Sequence, residues 1–449
     1  VSAGAVALAA CQPQVVEKVV KETVVVKEAV EVEKEVTRIV EKAVEAPKGP
    51  VELLHYERNI PQDVEFRTEL AQRFHEMHPD ITIKVEVMPE GYQQTMQARV
   101  ASRTAGDVFR WGAHWGMGKF VLRGMLYSLD AFVEKDNYDL SVYFPGAIAA
   151  NTMEGKLWAL AVNGHPGWSG LYYMPEMFAD AGIDEPTDKW TYDDLVAAAQ
   201  KLTKDTDGDG KTDIWGYWQF GNFPAHLTPL SAFGGWPQNE DGTKATYDTP
   251  EAKAGIQWVH DVYHKWKVAV PNPTGRGRLE LWGSNKVAMV LSGIWDGSYL
   301  RDATPEGKTI KLAPGPIGPS GERGGAMGAN NFPIWRSSEH PYEAWLWNKY
   351  LCSKEIGIEN VERIGEPGLR FDVWEDPKLL NDPMVAPHYE MLKVCKPQPE
   401  PANSRTTELR ADLGQVLSGI WLEDLSVDEG IAMLQDTTQE ILDRPKPGL

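Results

Sequence analysis

Three adjacent stretches of this chain change hydrophobic period in a way that few folds accommodate. Residues 51–56 (VELLHY) are a short apolar run, Phe66, Leu70 and Phe74 recur every fourth residue, and Ile81, Ile83, Val85 and Val87 alternate. These are the periods of a strand, a helix and a second strand. Such a unit returns the second strand in the direction of the first, so it builds a parallel sheet with helices laid over its faces. Asp107, Val108 and Phe109 read as the next short buried strand. Thr191, with Asp194 three residues on, reads as a helix start whose inner face is Leu195, Ala199 and Leu202. Helices are also predicted over 250–266, 341–351 and 427–442. The fold class is α/β, with no internal repeat.

A chain of 449 residues exceeds one ordinary core and predicts two lobes or domains. Its formal charge of -20 repels phosphate backbones, and no Lys/Arg cluster offsets it, so nucleic acid is excluded as a partner. Seventeen tryptophans are more than a core needs, and flat rings that stack on a ligand are their other common use. Trp258, Trp266, Trp345 and Trp347 lie on predicted helices at core spacing and are assigned to packing. Cys352 and Cys395 lack the spacing of a zinc site; they form either a disulfide or two free thiols. No run of eighteen apolar residues occurs.

The N-terminal segment VSAGAVALAAC reads as the end of a signal peptide, with Leu8-Ala9-Ala10-Cys11 resembling a bacterial lipobox that would carry a lipid on Cys11. Residues 12–49 are rich in Val, Glu and Lys and form a spacer. Val16, Val19, Val26, Val30, Val40 and Val44 fit a heptad register, so a short coiled coil and an extended tether are both open.

In KDTDGDGKTDIWG, with Asp205 as position 1, carboxylates stand at 1, 3, 5 and 9 (Asp205, Asp207, Asp209, Asp213), Gly210 at 6, and the Lys211 carbonyl at 7. That oxygen set suits a structural Ca2+, though position 12 is Gly216 rather than the bidentate Glu of a calcium sensor. An Asp/Gly turn without metal is the alternative. A strand is predicted over 214–216.

Five segments, in order, carry a family resemblance: DVFRWGAHWGMGKFVLRGMLYSLDAFVEKD, EGKLWALAVNGHPGWSGLYYMPEMFADAGI, KVAMVLSGIWDGSYL, SSEHPYEAWLWNKYL and LSVDEGIAMLQDTTQEIL. Together they resemble the extracellular solute-binding proteins of family 1, the maltose-binding-protein type. The resemblance implies a two-lobed periplasmic-binding-protein fold (type II), each lobe a mainly parallel sheet covered by helices. Lobe I would comprise 50–162 with 317–364, and lobe II 163–316 with 365–449, joined by crossings near 161–163, 315–318 and 364–367. It further implies a monomeric, extracytoplasmic, lipid-anchored substrate-binding subunit of an ABC importer. That subunit would capture a sugar or oligosaccharide between the lobes, deliver it to the membrane permease and need no cofactor.

On this resemblance Trp111 and Trp295 are the cleft aromatics, one from each lobe, with His114 and Trp115 beside the first. Asn163, His165 and Trp168 follow the first crossing, where the maltose type has an acidic residue; maltose itself is therefore in doubt. Phe220, Phe223 and Trp236 supply further aromatics, and Asn331 follows a Gly-rich run. Arg370 either points at ligand or braces the hinge; Arg405 either forks onto an acidic sugar or makes a surface salt bridge. The rival classes are a secreted carbohydrate hydrolase and a surface adhesin. No GxSxG, HExxH or P-loop is present; His75-Glu76-Met77-His78 has the wrong spacing.

Overall fold

The computed structural model describes residues 49–88, 91–102, 104, 106–270 and 277–446, together with the backbone of Val20–Glu22 and Lys34–Val36. The chain divides into two units, 1–46 and 47–449. In the first, Val20–Glu22 pairs antiparallel with Lys34–Val36, Val20 opposite Val36. Cys11 and the six heptad valines lie outside the described residues.

In the second unit, the opening pattern folds as its periods dictate. Val51–Arg58 runs parallel to Ile81–Met88 over its whole length, from Val51 opposite Ile81 to Arg58 opposite Met88. Val108–Phe109 pairs parallel on its other edge. The Pro61–Met77 helix starts on a proline, whose missing N–H is not needed in the first turn, and covers the sheet with Phe66, Leu70 and Phe74. The Pro341–Leu351 helix completes this core with Trp345, Trp347 and Leu351, all fully buried. This is lobe I.

Lobe I also buries charge. Burial pushes the Glu57 carboxyl up, but Arg110, His55 and Arg67 outweigh it and hold the group well below the usual carboxylate range. Arg110 Nε stands 3.7 Å from Glu57 and immediately precedes Trp111, so this cluster fixes the start of the strand that leads to the site.

In lobe II the strand Gly170–Tyr173 is central. It runs antiparallel to both Met289–Ser292 and Lys311–Pro314. Trp215 and Trp218 join by parallel bridges to Val287 and Val290, so the stretch predicted as a strand over 214–216 forms isolated bridges instead. Here Gly216 lies against the Tyr192–Leu202 helix, where a Cβ would fall 2.0 Å from the Ala199 carbonyl oxygen. That helix opens with the predicted capping box, Thr191 and Asp194 exchanging hydrogen bonds. Pro250–His264, Thr406–Trp421 and Val427–Asp443 pack around the same core.

Three stretches connect the lobes: Ala161–His165, Ala326–Asn331, and the loop around Glu366. Ile317, near the sequence-based position of the second crossing, pairs with Thr191 inside lobe II; the passage to lobe I runs along Ala326–Asn331, which ends at Phe332 of the lobe I core. Cys352 and Cys395 are free thiols, each pushed up to about 12 by burial. Among the described residues no helix is long and apolar enough to cross a membrane.

Candidate functional site

The crossings form the base of the site. Ala161–His165 pairs antiparallel with Ala326–Asn331, Gly328 opposite His165 and Asn330 opposite Asn163, with a bulge before Asn331. Trp111–Gly112 adds to the other edge, opposite Asn331 and Asn330. The third crossing closes on the first through the Gly164 N–H, which donates to the Pro367 carbonyl at 3.1 Å. A single carboxylate oxygen then joins all three: Glu366 Oε2 accepts from Asn163 Nδ2 at 3.1 Å and from Asn330 Nδ2 at 2.7 Å. Asn331 donates to Asn151 at 2.6 Å and is fully buried.

Above this base a run of rings passes from one lobe to the other. Trp111 lies edge to face with Trp115, their centroids 5.7 Å apart, and Trp115 likewise with His114 at 5.5 Å. His114 meets His165 at 6.0 Å, His165 meets Trp295 at 4.4 Å, and Trp295 meets Trp168 at 4.9 Å. Six of the residues singled out in the sequence are thus neighbours. Their environments differ. Trp111 is fully buried beside Phe109 and Phe120, with the Lys119 ammonium 4.9 Å from its centroid, so it supports the run from beneath. Trp115, Trp168 and Trp295 are partly exposed.

Trp295 is held by its own turn. Asp296, buried, accepts from Ser292 Oγ at 2.5 Å and from Arg278 Nε at 3.1 Å. The indole folds back over Gly293, where a Cβ would meet the ring at 2.1 Å; only glycine leaves that room. Burial pushes the imidazoles of His114 and His165 below their ordinary range, so both are neutral near pH 7. His165 Nδ1 accepts from the Gly167 N–H at 3.1 Å, which puts its proton on Nε2 and leaves a donor for a ligand.

A cleft of about 990 Å³ opens beside His114, which lines it, while Trp111, Trp115, His165, Trp168 and Trp295 are not among its lining residues. Lobe I contributes His114, Gly118 and Met153 to its wall, and lobe II contributes Trp236, Gln238 and Glu400. The two lobes are tied across it. Arg410, on the Thr406–Trp421 helix, donates to the His114 carbonyl at 2.5 Å, and Lys446 pairs with Glu154 at 2.6 Å. Glu400 takes a hydrogen bond from Thr406 Oγ1, while its Oε1 has no partner among the described residues. Burial pushes the Glu400 carboxyl up to about 7 against the pull of Thr406, Lys119 and Arg410. Burial likewise lowers Lys119 to about 8 and Arg410 to about 10. The wall therefore offers an indole, an amide, a neutral imidazole and a carboxyl group, which suits a ligand bearing hydroxyls and apolar faces.

The other residues singled out lie elsewhere. Phe220 is buried beneath Trp218 and the Arg278 guanidinium. Phe223 lines a smaller cavity of about 410 Å³ with Asn222, Arg410 and Ser418. Arg370 donates two hydrogen bonds to Asp372, at 2.8 and 2.7 Å, and one to the Cys352 carbonyl, so it braces the third crossing. Arg405 pairs with Glu408 at 2.6 Å and bonds the Pro445 carbonyl. The arginine that reaches across is Arg410, on the Thr406–Trp421 helix that Arg405 immediately precedes.

Asp205, Asp207 and Asp209 each bring a carboxylate oxygen within 4.8 Å of the other two. These oxygens also accept from the loop's own N–H groups, Asp205 from Gly208 and Gly210, Asp207 from Asp209, and Asp209 from Lys211. Asp213 caps Thr206, and Lys211 Nζ stands 3.2 Å from Asp209.

Comparison with known proteins places this geometry in a family. A binding protein of Brucella abortus (strain 2308) is 23% identical over 301 residues, 64% of this chain and 68% of that protein. The maltotriose-binding protein of Pyrococcus abyssi is 21% identical over 348 residues, 76% of this chain and 71% of that one. An ABC substrate-binding protein of Listeria monocytogenes, solved in complex with cycloalternan, superposes with a TM-score of 0.74 at 20% identity, covering 88% of this chain and 99% of that one. The family model for bacterial extracellular solute-binding proteins matches residues 60–358. The chain is a member of the bacterial extracellular solute-binding protein family.

Proposed function

We propose that this protein captures a sugar or oligosaccharide between its lobes and delivers it to the permease of an ABC importer, without turnover. The observation that carries the reading is a two-walled cleft that brings His114, a member of the ring run, together with Trp236, Gln238 and Glu400. Sugars present apolar C–H faces rimmed by hydroxyls, so they need flat aromatic surfaces and polar groups fixed in direction. At about 990 Å³ the cleft stands at the top of the range of roughly 300–1,000 Å³ usual for small-molecule sites, which favours an oligosaccharide. The ligands named for the Pyrococcus and Listeria proteins support the same class.

The direct ligand contacts in this reading are Trp295, Trp168, Trp115, His114, His165 and Trp236, with Glu400 and Gln238 as polar partners. The protein acts as an extracytoplasmic monomer, anchored through a lipid on Cys11. The loop of Asp205, Asp207, Asp209, Lys211 and Asp213 is a brace that takes Ca2+ and stands apart from the cleft; chelation would lower the melting temperature and leave ligand affinity unchanged.

The test is a thermal-shift and tryptophan-fluorescence screen over linear and cyclic oligosaccharides, with chromatography of the ligand afterwards. A bound sugar recovered intact is expected. Trp236→Ala removes one indole face, about 100 Å² of apolar cover, and should weaken binding by about 2.5 kcal/mol, or roughly sixtyfold. Full affinity in both Trp236→Ala and Trp295→Ala, or release of cleaved product, would overturn the reading.

A further inference from the structure

We propose that His260, His264 and Glu423 form a site for a divalent transition-metal ion of the zinc class, on lobe II and outside the cleft. His260 and His264 end the Pro250–His264 helix four residues apart, so one turn stacks them on the same face, with ring centroids 4.6 Å apart. The third group arrives from another element. The Thr406–Trp421 helix ends, the chain turns, and Glu423 adopts φ 61°, a left-handed conformation that a glutamate rarely takes. The turn brings its carboxylate back to the histidine pair, with Oε2 3.4 Å from His264 Nδ1. One donor atom from each of the three lies within 4.8 Å of the other two.

Two details favour ligation over chance proximity. His264 Nε2 stands 2.9 Å from the Trp421 carbonyl, which only accepts; the proton is therefore on Nε2, and the Nδ1 lone pair faces Glu423. A ring N–H held by a backbone carbonyl while the other nitrogen is left free is the usual setting of a ligating histidine. The second detail is His260. Its Nδ1 is buried and without a hydrogen bond among the described residues, Asp261 Oδ1 lying 3.9 Å away. Asp261 is itself engaged by Gln257 at 2.7 Å and Lys265 at 3.0 Å.

The donor chemistry selects the ion. Two imidazoles and one carboxylate suit zinc and its neighbours, whereas calcium and magnesium want six or more oxygens. Bonds of about 2.0–2.1 Å at tetrahedral angles set ligand atoms about 3.4 Å apart, which the His264–Glu423 pair already meets. Three protein ligands leave one position for water. A bound ion would fasten the end of the Pro250–His264 helix to the turn after Trp421, where His264 already donates to the Trp421 carbonyl and Tyr263 packs against the Trp421 ring.

The test uses the whole protein, stripped with a chelator and titrated with Zn2+ by calorimetry, and with Co2+ by visible absorption. One equivalent of Zn2+ should bind and raise the melting temperature, and Co2+ added to the stripped protein should give the intense bands of a tetrahedral nitrogen-and-oxygen site, which Zn2+ then abolishes. His260→Ala and Glu423→Gln should each weaken Zn2+ at least tenfold and abolish the Co2+ bands; Glu423 is exposed, so that variant keeps its fold. His264 is left intact because it also holds the Trp421 carbonyl. No Zn2+ binding by the wild type, or binding unchanged in both variants, overturns the proposal.

Discussion

Replacing Glu400 by glutamine removes one charge from the cleft wall and changes little else in shape. Its carboxyl moves from 4.5 to about 7 because burial outweighs Thr406, Lys119 and Arg410. Below pH 4.5 it is protonated in the folded and unfolded chains alike and has no effect on stability. Between 4.5 and about 7 the folded protein keeps a proton that the unfolded chain has released, so wild-type stability falls as pH rises. Above 7 both states are ionised and the penalty is complete. The interval is 2.5 decades of proton affinity (7 − 4.5). At about 1.36 kcal/mol per decade that is about 3 kcal/mol, an upper figure because the residue is partly exposed. Glutamine carries no such dependence and still offers Thr406 an acceptor. The assay is denaturant unfolding of both proteins between about pH 4.5 and about pH 8. The stability of Glu400→Gln relative to wild type should grow by about 2–3 kcal/mol across that range. Two curves that run parallel would refute the reasoning, since they would mean that the cleft hydrates this carboxylate as water does.

Gly216→Ala should destabilise lobe II by about 1–3 kcal/mol in denaturant unfolding, because the added methyl would stand 2.0 Å from the Ala199 carbonyl oxygen, backbone that cannot step aside. Glu366→Ala strands the amide donors of Asn163 and Asn330; at about 1–3 kcal/mol for each buried donor left unpaired it should lower unfolding stability by about 2–6 kcal/mol, and an unchanged midpoint would show that water replaces the carboxylate.

The fold was legible where hydrophobic period and capping speak locally. The opening strand–helix–strand, the Thr191 start and the Pro341–Leu351 helix all follow from spacing alone. The stretch over 214–216 was not, since a strand needs a neighbour in register: Ile214 bridges back to nearby Lys204 while Trp215 bridges Val287, far along the chain. In the site, the aromatic residues were visible as types out of proportion to core needs, and the resemblance ordered them. Burial was not: Trp111 and Trp115 are four residues apart on one loop, yet one is sealed beneath Phe109 and Phe120 and the other reaches the surface. Charged partners were hardest. Arg405 and Arg410 look alike in sequence; only the direction of the Thr406–Trp421 helix decides that the second faces His114. Glu366 was visible only as part of the third crossing, and Glu400 and Lys119 gave no signal, because each matters through residues far along the chain.

The shared oxygen of Glu366 makes the hinge a single fastening. Donors from the first and second crossings meet on one atom supplied by the third. A rotation of the lobes must pivot at that atom or release both amides together, and hydrogen bonds to a charged group are worth about 1.5–3 kcal/mol each. The three linkers therefore carry no independent slack: lengthening any one of them displaces the anchor of the other two, so a change in loop length at 161–165, 326–331 or 364–368 would be felt throughout the joint.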